Sequence, residues 1–145
     1  MNVTLNGISV EYSIHGHSGP WLILSHSLGC TQAMWQAQIA ALSADYRIVS
    51  YDTRGHGNTD ATPGPYTLDQ LADDAAALID HLAIDRVMWV GFSMGGMIAQ
   101  HLCLQAPQRA LSLTLLMSSS GRAGLPLPRY QRRPIHSWAA AVEWR

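Results

Sequence analysis

Lysine is absent from this chain of 145 residues. All nine cations are arginine, ten acids oppose them, and a formal net charge of -1 excludes an overall electrostatic pull toward nucleic acid or a membrane surface. Cysteine is scarce too. Cys30 and Cys103 are too few for a disulfide framework and lack the paired spacing of a zinc site, which leaves two free thiols. No apolar run is long enough to span a bilayer, and Met1 to Gly7 lacks the basic start and apolar core of a signal peptide, so a soluble, cytoplasmic protein is expected. No group of His, Cys and acid has metal-ligand spacing, and Gly95-Gly96 lacks the lysine and spacing of a phosphate loop; the expectation is no metal and no cofactor. No internal repeat is present.

What the chain does have is apolar mass. With 48% hydrophobic and 13% charged residues it suits one globular domain with a sizeable core. Val3-Thr4-Leu5 and Ile8 to Ile14 alternate as strands do, and the Asn6-Gly7 between them is the strongest short hairpin signal. Trp21-Leu22-Ile23-Leu24 is continuously apolar, as a strand buried on both faces must be. After a polar loop, Met34, Trp35, Gln38, Ile39 and Leu42 fall at helical spacing. Tyr46 to Tyr51 reads as the next strand, and Thr67-Leu68-Asp69-Gln70 as a capping box opening a helix. That helix buries Leu68, Leu71, Ala75, Leu78, Ile79 and Leu82 and turns Asp73, Asp74 and Asp80 mostly to solvent. Arg86 to Val90 and Leu111 to Met117 are further strands, separated by a helix from Met94 to Ala106 that Pro107 stops. Strand alternating with helix predicts an α/β fold. Its mostly parallel sheet carries an antiparallel N-terminal hairpin and has helices on both faces.

Past Gly121 the pattern stops. Residues 1 to 121 hold four Arg and nine acids, whereas 122 to 145 hold five Arg and one acid. Pro126, Pro128 and Pro134 forbid a long helix, only Ser137 to Arg145 is left for a short one, and no further strand is expected. The chain thus divides into an α/β domain over 1–121 and an irregular Arg/Pro-rich tail over 122–145. The strand Leu111 to Met117 would then be an uncovered sheet edge, through which self-association is expected.

The chain is organised around Val87 to Gln100. Apolar residues, then Gly91-Phe92-Ser93-Met94-Gly95, then a helical run put Ser93 on a sharp strand-to-helix turn, its hydroxyl exposed above the sheet. Gly91 and Gly95 fit because so tight a turn leaves no room for side chains two residues either side of the serine. The helix from Met94 aims unpaired N–H groups and its positive end at the same place. Ser93 is therefore the candidate nucleophile. Loops 25–30, 52–60 and 91–96 all follow the C-terminal ends of parallel strands, where open α/β sheets build their sites.

In these three loops, His26-Ser27-Leu28-Gly29, Asp52-Thr53-Arg54-Gly55-His56-Gly57 and Gly91 to Gly96, the chain resembles the α/β-hydrolase superfamily from about residue 8 to 121. With Met34-Trp35 and Gly64-Pro65-Tyr66-Thr67 added, it is most similar to the 3-oxoadipate enol-lactonases, cofactor-free enzymes that hydrolyse an enol-lactone. The resemblance implies that the backbone N–H groups of Leu28 and Met94 form the oxyanion hole. It also implies that His26, Gly29, Asp52, Arg54, Gly55, His56, Gly57, Gly91 and Gly95 shape and anchor the site loops. In that superfamily the acid and then the histidine follow the serine. After Ser93 this chain has only Glu143, preceded by His136 in the reverse order, and His101, too far down its helix. The lid and last two strands of the family have no counterpart.

Three readings follow. The chain is a serine hydrolase of a small carboxylic ester or lactone, with Ser93 as nucleophile. Alternatively it is a catalytically incomplete portion of one, from a truncated or frameshifted reading frame, with residues 122–145 out of frame. The third is a non-enzymatic interaction module using the basic tail of Arg122, Arg129, Arg132 and Arg133.

Overall fold

Asn6 and Gly7 both adopt positive φ, 48° and 76°, which a two-residue hairpin turn requires. They fold β1 (Asn2–Leu5) onto β2 (Ile8–His15) with Leu5 opposite Ile8. This is a computed structural model that describes residues 1–119 and 140–143. The chain continues through β3 (Trp21–Ser25), a 3-10 turn (Gln32–Trp35), α1 (Gln36–Leu42), β4 (Arg47–Tyr51), α2 (Leu68–His81), β5 (Val87–Phe92), α3 (Met94–Gln105) and β6 (Ala110–Leu116) to β7 (Ala140–Glu143). All seven strands form one sheet in the order β1-β2-β4-β3-β5-β6-β7. The middle four, β4-β3-β5-β6, run parallel, while β1, β2 and β7 are antiparallel to their neighbours. The α/β architecture expected from the sequence is present, and no helix among the described residues is long and apolar enough to cross a membrane.

The helix ends obey local chemistry. Thr67 Oγ1 accepts the Gln70 N–H at 3.1 Å and so opens α2 at the expected residue. The helix read across Met34 to Leu42 is instead a 3-10 turn capped by Thr31 and then a short α1. Only Trp35 on this stretch is buried.

The far edge corrects the sequence reading. The sequence pattern predicts no strand after residue 121 and leaves only Ser137 to Arg145 for a short helix, yet β7 pairs with β6, Ser112 opposite Glu143 through Leu115 opposite Ala140. An isolated nine-residue helix is marginal in water, whereas a strand added here satisfies the N–H and C=O row that β6 would leave open. Along Ser112 to Leu115 the edge of β6 is therefore covered. The rest of the tail, with Arg122, Arg129, Arg132, Arg133 and His136, lies outside the described residues.

Both faces of the central strands are buried, which is why they read as unbroken apolar runs. Ile23, Val49, Val87 and Trp89 pack with α2 and α3 through Leu71, Ala75, Leu78, Ile98 and Leu102. On the opposite face Leu22, Leu24 and Ile48 pack with Trp35 and, more openly, with Met88, Val90 and Phe92. Each fully buried Leu, Ile or Val contributes roughly 1.5–3 kcal/mol by leaving water. One helix position contradicts expectation. Asp74 is not on the solvated side of α2 but is buried, because residues 71, 74, 75 and 78 form a single stripe at i, i+3, i+4 and i+7. Arg54, itself buried, meets it there with Nε to Oδ2 at 2.7 Å and Nη2 to Oδ1 at 2.8 Å.

Candidate active site

Ser93 sits between β5 and α3 with φ 51° and ψ -114°, a backbone conformation that L-residues rarely adopt. Such a residue costs of order 1–3 kcal/mol and persists only where its surroundings over-determine it. They do so here. The Ser93 N–H donates to the Leu116 carbonyl at 2.8 Å, and its carbonyl accepts from Gly96 N–H at 3.0 Å, Met97 N–H at 3.2 Å and Ser118 Oγ at 2.8 Å. The flanking glycines are steric necessities. A Cβ on Gly91 would fall on the Gly95 backbone, and one on Gly95 on the Ser25 carbonyl, so the start of α3 lies directly against the loop that follows β3. Ser118, just beyond β6, is the one member of this arrangement that no motif singled out. Its only sequence signal is a polar run following the C-terminal end of a parallel strand.

The other two loops are held by side chains. Asp52, at the end of β4, accepts Gln32 N–H at 2.7 Å and Asn58 N–H at 3.1 Å. Gly57 is required beside it, since a Cβ there would collide with the carboxylate. Gly55 packs on the ring of Tyr66, whose hydroxyl donates to the Thr62 carbonyl at 2.6 Å. His26 is fully buried and its Nε2 accepts Thr53 N–H at 2.9 Å; burial holds this imidazole below the ordinary histidine value. His56 Nε2 accepts Gly29 N–H at 3.1 Å, and the two rings lie 5.1 Å apart. These contacts anchor the loops. Leu28 is exposed at the tip of its loop, and neither its N–H nor that of Met94 donates to another described group.

Among the described residues no side chain hydrogen-bonds the Ser93 hydroxyl. His101, too far along α3 to reach Ser93, is buried with Nδ1 2.7 Å from Asp69 Oδ1. Tyr51 is also unfit as a base: burial pushes its phenol up to about 12, and it shares a 2.9 Å hydrogen bond with Ser25. Cys103 is raised to about 11 by burial. A cavity of about 350 Å³ bounded by Ser13, His15, Gln32, Gln36, Ile39 and Ser50 lies between β2, β4 and α1 and includes none of the candidate residues. No cluster of three or more metal-ligating side chains occurs among the described residues.

This chain is 43% identical over 108 residues to 3-oxoadipate enol-lactonase 2 of Acinetobacter baylyi, an alignment covering 74% of this chain and 40% of that protein. It is 38% identical to 3-oxoadipate enol-lactonase 1 of the same organism, covering 79% and 43%. The crystal structure of the enol-lactonase from Burkholderia xenovorans superposes with a TM-score of 0.74 at 42% identity, covering 76% of this chain and 44% of that one. A hydrolase from Pseudomonas aeruginosa superposes at 0.78 with 39% identity, covering 86% and 48%. The chain thus spans less than half the length of each of these relatives. The family model for the alpha/beta hydrolase fold matches residues 20–141, most of the sheet and all three candidate loops, and the chain belongs to that family.

Proposed function

We propose that the three loops form the nucleophile and oxyanion half of a serine hydrolase for small carboxylic esters or lactones, resembling the enol-lactonases. Ser93 Oγ attacks the carbonyl carbon as its proton passes to solvent water, and the C=O electron pair moves onto oxygen, facing the N–H groups of Met94 and Leu28. Collapse of that oxyanion breaks the bond to the alcohol or enol oxygen, which takes up a proton from solvent and in a lactone stays tethered to the acyl chain. A water then attacks the acyl carbon, releasing the acid and returning a proton to Ser93 Oγ. Each oxyanion donor of this type contributes roughly 3–4 kcal/mol to transition-state stabilisation. The observation that carries the reading is the Ser93 backbone at φ 51° and ψ -114°, a strained conformation maintained where a serine hydroxyl carries no competing hydrogen bond among the described residues.

A second reading accompanies it: the described residues make a half-site that lacks its base. The rings of His26, His56 and His101 are each engaged by other groups. Loss of base and orienter together costs about 10⁶ in turnover, while oxyanion stabilisation and binding leave roughly 10³ over water. The purified chain is therefore expected to hydrolyse p-nitrophenyl acetate no faster than Ser93→Ala. Prolonged incubation with an excess of a fluorophosphonate should still label Ser93, as peptide mass spectrometry would show. Absence of label at Ser93 would overturn the nucleophile assignment, and Ser93-dependent turnover would overturn the half-site reading.

A further inference from the structure

We propose that His26 and His56 are positioning residues that fix the Leu28 N–H through one closed, proton-sensitive set of hydrogen bonds between the loops after β3 and β4. The inference rests on the oxyanion role of Leu28 for its catalytic consequence only. The turn Ser27-Leu28-Gly29-Cys30 is closed by Cys30 N–H donating to the Ser27 carbonyl at 3.1 Å, with Gly29 at φ 72° in its third position. An imidazole grips it on each side of Leu28. His26 Nδ1 donates to the Ser27 carbonyl at 2.7 Å, and Gly29 N–H donates to His56 Nε2. The remaining nitrogens reach the second loop, His26 Nε2 accepting from Thr53 N–H and His56 Nδ1 donating to the Arg54 carbonyl at 3.1 Å. Each loop thus supplies one histidine that accepts an N–H of the other. Arg54 is fastened in turn to Asp74 of α2, so the Leu28 turn is tied to a buried ion pair rather than to solvent-exposed chain.

The chemistry allows one protonation state. An amide N–H can only donate, so both Nε2 atoms must be bare and both rings must be neutral with the proton on Nδ1. A proton on either Nε2 turns acceptor into donor and opposes the Thr53 or Gly29 N–H. Two imidazolium rings 5.1 Å apart would also repel. The other charges near His26 are few: Asp52 at the end of β4 favours its protonated form, and His56 opposes it. The Arg54 guanidinium is turned to Asp74, and the positive end of α3 lies against the Ser25 and His26 carbonyls. Acidification is thereby coupled to the Leu28 turn.

The test is nitrogen NMR on the ¹⁵N-labelled full chain. At pH 7.5, through-hydrogen-bond ¹⁵N–¹⁵N couplings are expected from Thr53 N to His26 Nε2 and from Gly29 N to His56 Nε2. Lowering the pH to 5 should abolish at least one coupling, move the Leu28 amide resonance, and speed Gly29 amide exchange about tenfold beyond its intrinsic pH dependence. His56→Ala should show the faster exchange already at pH 7.5. His56→Gln, which can still offer an oxygen to Gly29 N–H, should restore protection. Missing couplings at pH 7.5, or a Leu28 turn unmoved by acid, would overturn the proposal; both readings come from the native chain and do not depend on any variant folding. Couplings present without fluorophosphonate labelling of Ser93 would leave the histidine linkage standing and remove the catalytic reading.

Discussion

The strand-to-helix turn at Ser93 and the pair of loops beside it reach fixed geometry by opposite means. The turn is shaped mainly by backbone: missing Cβ atoms at Gly91 and Gly95, a positive φ at Ser93, and main-chain hydrogen bonds to Leu116, Gly96 and Met97, with Ser118 Oγ the one side chain that adds to them. The loops are shaped by side chains that reach far along the sequence, from Arg54 to Asp74, from His26 to Thr53 and from His56 to Gly29. Steric exclusion is local and leaves a five-residue signature. A hydrogen-bond network is distributed, and its stability is concentrated in the member whose two buried partners are both charged.

That member is Arg54–Asp74, and breaking it should have the largest effect. Removing one partner strands a buried charge, so Arg54→Met alone or Asp74→Leu alone is expected to lose about 3–5 kcal/mol in urea unfolding. Asn6 Nδ2, 3.0 Å from Asp74 Oδ1, would lose its acceptor as well in Asp74→Leu. The double variant should recover much of the loss, because two apolar side chains leave no uncompensated charge. Strict additivity of the two single losses would show that the pair acts through separate contacts.

The turn should break next, and more sharply in position than in chemistry. Gly95→Ala places a Cβ on the Ser25 carbonyl, with no flexible side chain available to yield. A loss of about 3 kcal/mol is expected, at the upper end of overpacking penalties, with the loop after β3 displaced. A neutral Gly95→Ala in thermal unfolding would mean that the two loops are not in contact.

These two regions also differ in how far they were legible in the sequence. Gly91-x-Ser93-x-Gly95 between an apolar strand and a helix yields the turn because the residues that mark it lie within five positions, although Ser25, Leu116 and Ser118, which constrain it, lie far along the chain. The hairpin at Asn6-Gly7 and the cap at Thr67 are readable for the same reason. Asp74 reads as solvated because its charge outweighs its place in the 71-74-75-78 stripe, and its partner lies 20 residues away in an irregular loop. Ser118 carries no sequence mark because a hydroxyl answering a main-chain carbonyl 25 residues off has no local pattern. β7 is not legible in the sequence because strand pairing depends on the open edge it joins more than on its own four residues.

Acid should loosen the loops without touching the turn. Burial lowers the folded-state value of His26 below the 6.5 of the unfolded chain, so the unfolded state takes up the proton first as pH falls. Its contribution to stability is fully present above pH 6.5 and is lost as pH falls through the folded value. The slope from this group should not exceed one proton per molecule. Urea midpoints between pH 8 and 4.5 would show the decline. His26 contributing stability that rises on acidification would reverse the sign and refute the neutral-ring assignment.

The smallest expected effect has the opposite sign and separates strain from support. Ser93→Gly removes the Cβ that makes φ 51° costly while keeping every main-chain bond of the turn and the Ser118 contact to its carbonyl. Relief of strain, of order 1–3 kcal/mol, is partly offset by the greater freedom of glycine in the unfolded chain, roughly 0.4–1 kcal/mol. A net stabilisation of about 1 kcal/mol is expected, together with loss of all fluorophosphonate labelling at that position. Gly95→Ala moves stability the other way at the same turn, so the two variants measured together distinguish a strained serine in a rigid frame from a loosely held loop. A destabilised Ser93→Gly would place the energetic cost of the turn elsewhere and leave its backbone angles without a catalytic rationale.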